Sequence, residues 1–439
     1  MKQNLWLKLA LMTACAFLLA APATSALAAS KQPVVIGFIG SFNSDAGKST
    51  LRGAEIAIEE INAKGGILGG RPIKLVKADT AEDVTEGIKA YEYLNEEEKV
   101  DFIISGSIDD VSLGWMPRMA EYRTPTLDTW TSAYSAIEKV ANEYEKYKMY
   151  FMNCPTDYAL GTQYVDFGKD VLAKKMGWKT AVIMQEDTAY GAGTYEFIKG
   201  DILETAGIKM LDHVVYDVNT LDFSPIYNKI IQENPDFIYL ISSVKCVVPT
   251  SQYVKMQVPV PITGINVAAV GKEFWKDTGG MGGGMSTLMP PPTLGMDMDP
   301  RTEAFIKKYQ AKYKSRPVFP HFNGFNAYYG IYNAVNAAER AGGFKPLDAW
   351  VKEMENEDLK LYKDGQLWLR YAYWKPGEIE PRTKTAFTHN VKVDITPPLD
   401  DGHPSLIVIQ WYTDGSVKCV YPPKYANGEF TVPPWVKKK

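Results

Sequence analysis

The chain is 439 residues long, 46% hydrophobic, 12% aromatic and 23% charged, with a formal net charge of −4. This excludes an intrinsically disordered chain, which needs low hydrophobicity and high net charge. The lack of a basic excess also excludes nucleic acid as the main partner. Four Cys and four His exclude a disulfide framework and argue against a His-rich metal site, and the length exceeds the roughly 250–300 residues at which one core stops growing, which predicts two domains.

Residues 1–28 read as a secretory signal peptide. Lys2 and Lys8 form a basic start, an apolar run follows from Leu9, and Ala26-Leu27-Ala28 gives the small-residue cleavage pattern. The run is about 13 residues, too short for the roughly 20 needed to span a bilayer. Cys15 sits inside the apolar run rather than after it, which argues against lipoprotein anchoring. Cleavage near Ala28 places the chain in the periplasm and removes two lysines and no acid, taking the net charge from −4 to −6. No later segment reaches the length of a membrane span. Cys154, Cys246 and Cys419 remain, an odd number, so at least one thiol is free and the pairing of the others stays open.

Residues 34–39 are a short apolar run of buried-strand type. Leu51, Ala54, Ala57, Ile58 and Ile61 then recur at helical spacing. Gly65-Gly66 ends that helix, because glycine accepts the left-handed cap conformation. Residues 72–78 read as a strand, 82–95 as a helix, 102–104 as a strand, 111–122 as a helix and 125–127 as a strand. The alternation restarts with a helix at 160–176 and a strand at 180–184. A helix at 191–206, a strand at 212–216, a helix at 224–233 and strands at 237–241 and 262–264 follow. Such units imply parallel sheets with helices on both faces, here as two doubly wound α/β lobes. The glycine-rich stretch 279–284 and Pro290-Pro291-Pro292 mark a boundary. Beyond it, 301–313 and 323–341 read as helices, and the remainder as short strands and loops, including 406–412.

Gly47-Lys48-Ser49-Thr50 lies after a strand and before a helix, where a phosphate-binding loop would lie. That loop needs four residues between its glycines, and here six separate Gly40 from Gly47. The better reading is a loop and helix start facing a cleft. No H-E-x-x-H, G-x-S-x-G or C-x-x-C occurs. His213, His321, His389 and His403 are scattered, and the acid pairs Asp109-Asp110, Asp297/Asp299 and Asp400-Asp401 read as solvated loops or caps. No pattern calls for catalysis, a metal or a cofactor. In parallel α/β sheets ligands sit beyond the carboxyl ends of the strands, where helix N-termini favour anions. Loops 40–47, 105–112 and 128–133 qualify. Two lobes facing each other across such loops make a hinged cleft that closes on its ligand.

Residues 53–70, GAEIAIEEINAKGGILGG, resemble the first helix and turn of the branched-chain amino acid (Leu/Ile/Val) binding proteins, periplasmic components of ABC importers with the type I two-lobed fold. Asp187-Thr188-Ala189-Tyr190-Gly191-Ala192-Gly193 is similar to that family's D-x-x-Y-G-x-G turn. Asn234–Ile238 is similar to a strand entry, and Val408–Tyr412 with Tyr421-Pro422-Pro423 to the closing hairpin. The resemblance implies two lobes joined by a three-segment hinge. It assigns 29–154 to lobe 1, 155–289 to lobe 2, 290–375 to lobe 1 again, and 376–439 to the completion of lobe 2 with a C-terminal hairpin and tail. Crossings fall near 154, 289 and 375.

The resemblance also implies site residues. The family holds a ligand carboxylate after its third and fourth strands, here at Ser107 and Asp109, then Trp130, Thr131 and Ser132. The aspartate of the first crossing resembles Asp157, the turn tyrosine resembles Tyr190, and the family acid that pairs with the ligand ammonium falls near Asn266. Two departures count against a plain α-amino acid. Asp109 stands where a hydroxyl often helps bind carboxylate, and Asn266 lacks the charge that would neutralise an ammonium. Trp130 adds a large flat apolar surface, suited to stacking on a ring or to filling the cavity left by a smaller ligand. The implied function is an extracytoplasmic solute-binding component of an ABC importer. It is a monomer and a binder without catalysis, capturing a small polar organic solute, amino-acid or amide-like, for an inner-membrane permease. A ligand-presenting sensor for a membrane receptor and a secreted enzyme on a similar scaffold stay open as alternatives.

Overall fold

The computed structural model describes residues 31–393, 403 and 405–436, and leaves out the side chains of Ala189 and Tyr190. The expected signal peptide and the Asp400-Asp401 pair lie outside the described residues. In the first lobe the elements are β1 (Val34–Gly40), α1 (Asp45–Ala63), β2 (Ile73–Asp79), α2 (Val84–Glu96), β3 (Phe102–Gly106), α3 (Asp109–Trp115), β4 (Thr126–Asp128), α4 (Tyr134–Asn142) and β5 (Tyr150–Met152). Their sheet is parallel throughout, in the order β2-β1-β3-β4-β5. That order reverses between β1 and β3, the point at which doubly wound sheets open a crevice.

The second lobe carries α5 (Asp157–Phe167), β6 (Thr180–Glu186), α6 (Ala189–Phe197), β7 (Lys209–Tyr216), α7 (Ser224–Glu233), β8 (Phe237–Ser242), α8 (Val247–Met256), β9 (Ile262–Asn266) and the short α9 (Phe274–Asp277). Its parallel sheet runs β7-β6-β8-β9. All six residues of β8 are buried, as expected of a central parallel strand covered on both faces. The chain continues with β10 (Ser286–Met289), α10 (Pro300–Lys312), α11 (Phe322–Ala341), α12 (Leu347–Glu355), β11 (Asp358–Lys363), β12 (Gln366–Ala372), β13 (Ile407–Trp411) and β14 (Val417–Tyr421).

The helix expected at 160–176 begins three residues earlier and passes from α5 into a π-helical stretch at Gly168–Lys175. Helix α8 was hidden in the sequence by Val247, Val248 and Pro249. β-Branched residues and proline weaken a helical signal, yet both are tolerated in a first turn. The side chains of β13 alternate with the strand period of two: Ile407 and Ile409 join the core of the first lobe, Val408 that of the second. Around the third crossing, expected near 375, the chain returns to the end of β5. The Met152 amide donates to His389 O at 3.0 Å and Val391 N to Met152 O at 2.8 Å. Phe387 and Val393 share a core cluster with Ile39 and Ile103, while Arg382 pairs with Asp166 of α5 in the second lobe, so this segment touches both lobes.

Helices α1 and α11 cross at backbone contact. A Cβ on Gly53 would lie 2.1 Å from Gly324 O, and one on Gly324 would lie 2.4 Å from Ser49 Oγ. Together they seal one face of the first sheet with Ala54, Ala57, Ile58, Ala327, Ile331 and Ala334.

Candidate functional site

The first lobe's candidate surface is built where β1, β3 and β4 end. After β1, Ser41 Oγ accepts the amides of Asn43 and Ser44, and Ser44 caps α1 by accepting Gly47 N–H. Gly47 is required by packing, since a Cβ there would lie 2.1 Å from Ser41 O. Lys48 Nζ donates to Asn43 O at 2.8 Å. The GKST run is therefore a closed helix start whose lysine ties down its own loop, as its wrong spacing indicated.

The loops after β3 and β4 are laced together. Thr129 donates to Ser105 O through both N–H and hydroxyl, and Thr131 Oγ1 donates to Ser107 O at 3.3 Å. Asp128 at the end of β4 is fully buried. It accepts Ser112 Oγ at 2.7 Å, Trp130 N at 3.1 Å, Thr131 N at 3.0 Å and Thr131 Oγ1 at 3.0 Å. Burial still holds its carboxyl above the ordinary aspartate range. Asp109 opens α3 but caps the neighbouring loop: its Oδ1 accepts Ser132 N at 2.8 Å and Ala133 N at 3.2 Å. Its carboxyl too is raised, by burial first and then by the charge of Asp110. Asp157 Oδ1 accepts Tyr134 N at 3.1 Å and Tyr158 N at 2.7 Å, and Asp157 N donates to Ser132 O at 2.8 Å. Partial desolvation of the carboxyl against the loop after β4, then the charge of Asp109, raises Asp157, although the residue as a whole is exposed.

Of the residues singled out in the sequence, Ser107, Asp109, Trp130, Thr131, Ser132 and Asp157 thus share one patch. Ser107 and Thr131 are buried and serve the loops themselves, while Trp130 and Ser132 are half-buried and Asp157 is exposed. Asn266 lies at the end of β9 in the second lobe, fully buried. Its Oδ1 caps Ala269 N, and its Nδ2 donates to Cys246 O and Thr250 Oγ1. Tyr190 falls in the first turn of α6, and its side chain lies outside the described residues.

Glu186, at the end of β6, escaped sequence reading because a lone acid after an apolar strand reads as a solvated loop. It is fully buried and gathers the loop after β8, accepting Val244 N at 3.0 Å, Lys245 N at 2.6 Å, Ser242 Oγ at 3.2 Å and Ser243 Oγ at 3.0 Å. Around these loops three apolar side chains stand in solvent: Tyr158 is 45% exposed, Val244 70% and Val267 41%.

The two sets of loops face each other. Arg316, between α10 and α11, pairs with Asp45 at the start of α1 and with Asp277 in α9 of the opposite lobe, and Val318 N donates to Glu273 Oε1 at 2.7 Å. Among the described residues, no group of three or more His, Cys, Asp or Glu is placed to hold a metal ion. Cys154, Cys246 and Cys419 are buried free thiols.

This arrangement, two parallel α/β lobes with their carboxyl-end loops facing, is that of the type I periplasmic binding proteins. The sequence profile described as "Periplasmic binding protein" matches residues 33–370, and the chain belongs to this family. It is 27% identical over 319 residues to the Leu/Ile/Val-binding protein homolog 2 of Brucella abortus, covering 72% of this chain and 79% of that one. A putative branched-chain amino acid ABC transporter structure from Silicibacter pomeroyi matches with a TM-score of 0.74 and 19% identity, over 92% of this chain and 100% of that one. A solute-binding protein of an R. palustris ABC transporter, solved with benzoate, matches with a TM-score of 0.66 and 16% identity, over 91% and 99%. The family is extracytoplasmic, and among the described residues no helix is long and apolar enough to cross a membrane.

Proposed function

We propose that the chain is the solute-binding component of an ABC importer, capturing a small polar organic solute, amino-acid or amide-like, between its lobes and delivering it to an inner-membrane permease. The observation that carries this reading is the apposition of the two carboxyl-end loop sets, bridged by Arg316 between Asp45 and Asp277 and by Asp157 N to Ser132 O. Parallel α/β sheets receive ligands at this end of their strands. Asp109, Trp130, Ser132 and Asp157 meet the solute in this reading. Ser107, Thr131 and Asn266 hold the loops that present them, and Tyr190 contributes from the second lobe. The chain acts as an exported monomer, cleaved near Ala28, without catalysis of its own.

The test is titration calorimetry of the mature chain against amino acids, their amides, aromatic acids and aromatic amides. The expected result is one-to-one binding without turnover. At a hundredfold excess over Kd, a ligand that binds only the folded state stabilises it by about 2.7 kcal/mol, which a thermal melt detects. Chemical conversion of a bound compound would overturn the reading.

A further inference from the structure

Five consecutive backbone amides line the loop after β4, and each already donates to a carboxylate. Trp130 and Thr131 give theirs to Asp128, Ser132 and Ala133 to Asp109, and Tyr134 to Asp157. The facing loop is in the same state, since Val244 and Lys245 give their amides to Glu186. Backbone N–H groups at such loops and helix starts are what make the carboxyl end of a parallel sheet attractive to anions. Here the protein's own acids occupy them. An incoming carboxylate would find no free backbone amide from Trp130 to Tyr134, and it would approach Asp109 and Asp157 at close range, where like charges disfavour each other. Among the described residues, no Lys, Arg or His side chain hydrogen-bonds or ion-pairs with Asp109, Asp128 or Asp157 to offset that repulsion.

Resting on the cleft reading proposed above, we infer that the solute is not an anion: it is an uncharged or cationic organic molecule with an amide or amine head in place of a carboxylate. Asp109 is the residue that sets this preference, by filling the Ser132 and Ala133 amides and by its charge. The amide or amine head donates to the carboxylate oxygens of Asp109 and Asp157, and the solute's apolar body rests on Tyr158, Val244 and Val267, which stand exposed around the same loops.

The experiment titrates the mature chain with matched pairs that differ only in charge: leucinamide against leucine, and benzamide and benzylamine against benzoate. The expected result is at least tenfold tighter binding of the amide or amine in at least one pair. Asp109→Ser, which removes the charge and frees two amides, should improve binding of the matching acid at least tenfold. Asp109→Asn, whose side-chain oxygen still accepts those amides, should improve it less. Wild-type binding of the acids as tight as that of their partners overturns the inference and leaves the binding role standing. An acid affinity unmoved by Asp109→Ser overturns the role of Asp109. A blank for every compound overturns the cleft reading itself.

Discussion

Arg316 reaches Asp277 in the opposite lobe with Nη1 at 2.9 Å, while its Nε holds Asp45 at 2.6 Å. The arginine is itself fixed from behind. Arg52 donates to Ser315 O at 3.2 Å, Pro317 O at 2.9 Å and Ser315 Oγ at 2.9 Å, anchoring the segment that carries Arg316 to α1. The bridge therefore ties the two rims together from one rigid side. Arg316→Ala should lower folding stability by less than about 1 kcal/mol, because exposed ion pairs contribute little. It should raise the Kd for a bound solute several-fold, and the difference from wild type should shrink in high salt as screening weakens the bridge. Calorimetric titrations at low and high salt check this, and a Kd unchanged at low salt would count against a role in closure.

Trp130→Ala should abolish ligand-induced thermal stabilisation while moving the ligand-free melting temperature little, since the side chain is only half-buried. For Asp157 the informative variant is Asp157→Asn, because Asp157→Ala would also remove the acceptor for Tyr134 N and Tyr158 N. Losing a cap of that kind costs about 1 kcal/mol. Asp157→Asn keeps the acceptor and removes the charge. If both variants retain wild-type ligand shifts in a melt, the cleft is not the binding site.

Glu186 answers four donors in a fully buried position. Glu186→Ala strands two amides and two hydroxyls, and hydrogen bonds to a charged group are worth about 1.5–3 kcal/mol each when one is lost. The expected cost is about 3 kcal/mol or more in urea denaturation, with Glu186→Gln losing less because its carbonyl still accepts. A loss within about 0.5 kcal/mol for Glu186→Ala would contradict the described contacts.

Burial pushes His321 down to about 4, against a smaller upward pull from its bond to Asn323 and the charge of Asp45. The unfolded chain then binds a proton on this residue near pH 6.5 that the folded chain does not take until about 4. Between those values the unfolded state holds more protons, so stability falls as the pH is lowered through this window. His213 is depressed in the same direction, by burial first. The comparison that isolates His321 is therefore wild type against His321→Gln. The variant should lose less stability than wild type between pH 6.5 and 4, and equal losses would refute the assignment.

The strand and helix alternation was legible because the central strands are continuous apolar runs. β8 is buried at every position, and the apolar stripe of α1 keeps helical spacing. The turn chemistry of 53–70 was legible too, although the reason for Gly53 is visible only when Gly324 is seen against it. What the sequence concealed is the pairing between distant residues. The resemblance sets Asp109 against solute and its local context allows a cap, but nothing local says that the amides it caps lie 23 and 24 residues further on. Asn266 stands at a ligand position by resemblance, yet its amide is spent on Cys246, Thr250 and Ala269. Arg316 lies 271 residues from Asp45, a separation over which periodicity and propensity carry no information.

The backbone contact between Gly53 and Gly324 sets an order of events for the newly made chain. The hydrophobic face of α1 is closed by α11, which begins at Phe322. The second lobe likewise awaits Leu406 and Val408. Neither lobe can complete its core until most of the polypeptide has appeared, and contacts of such long sequence separation form slowly. On the exported role proposed above, a chain threaded out of the cytoplasm gains time from this wiring, and an amino-terminal fragment ending before Phe322 should be retained by chaperones or degraded rather than accumulate as a folded lobe.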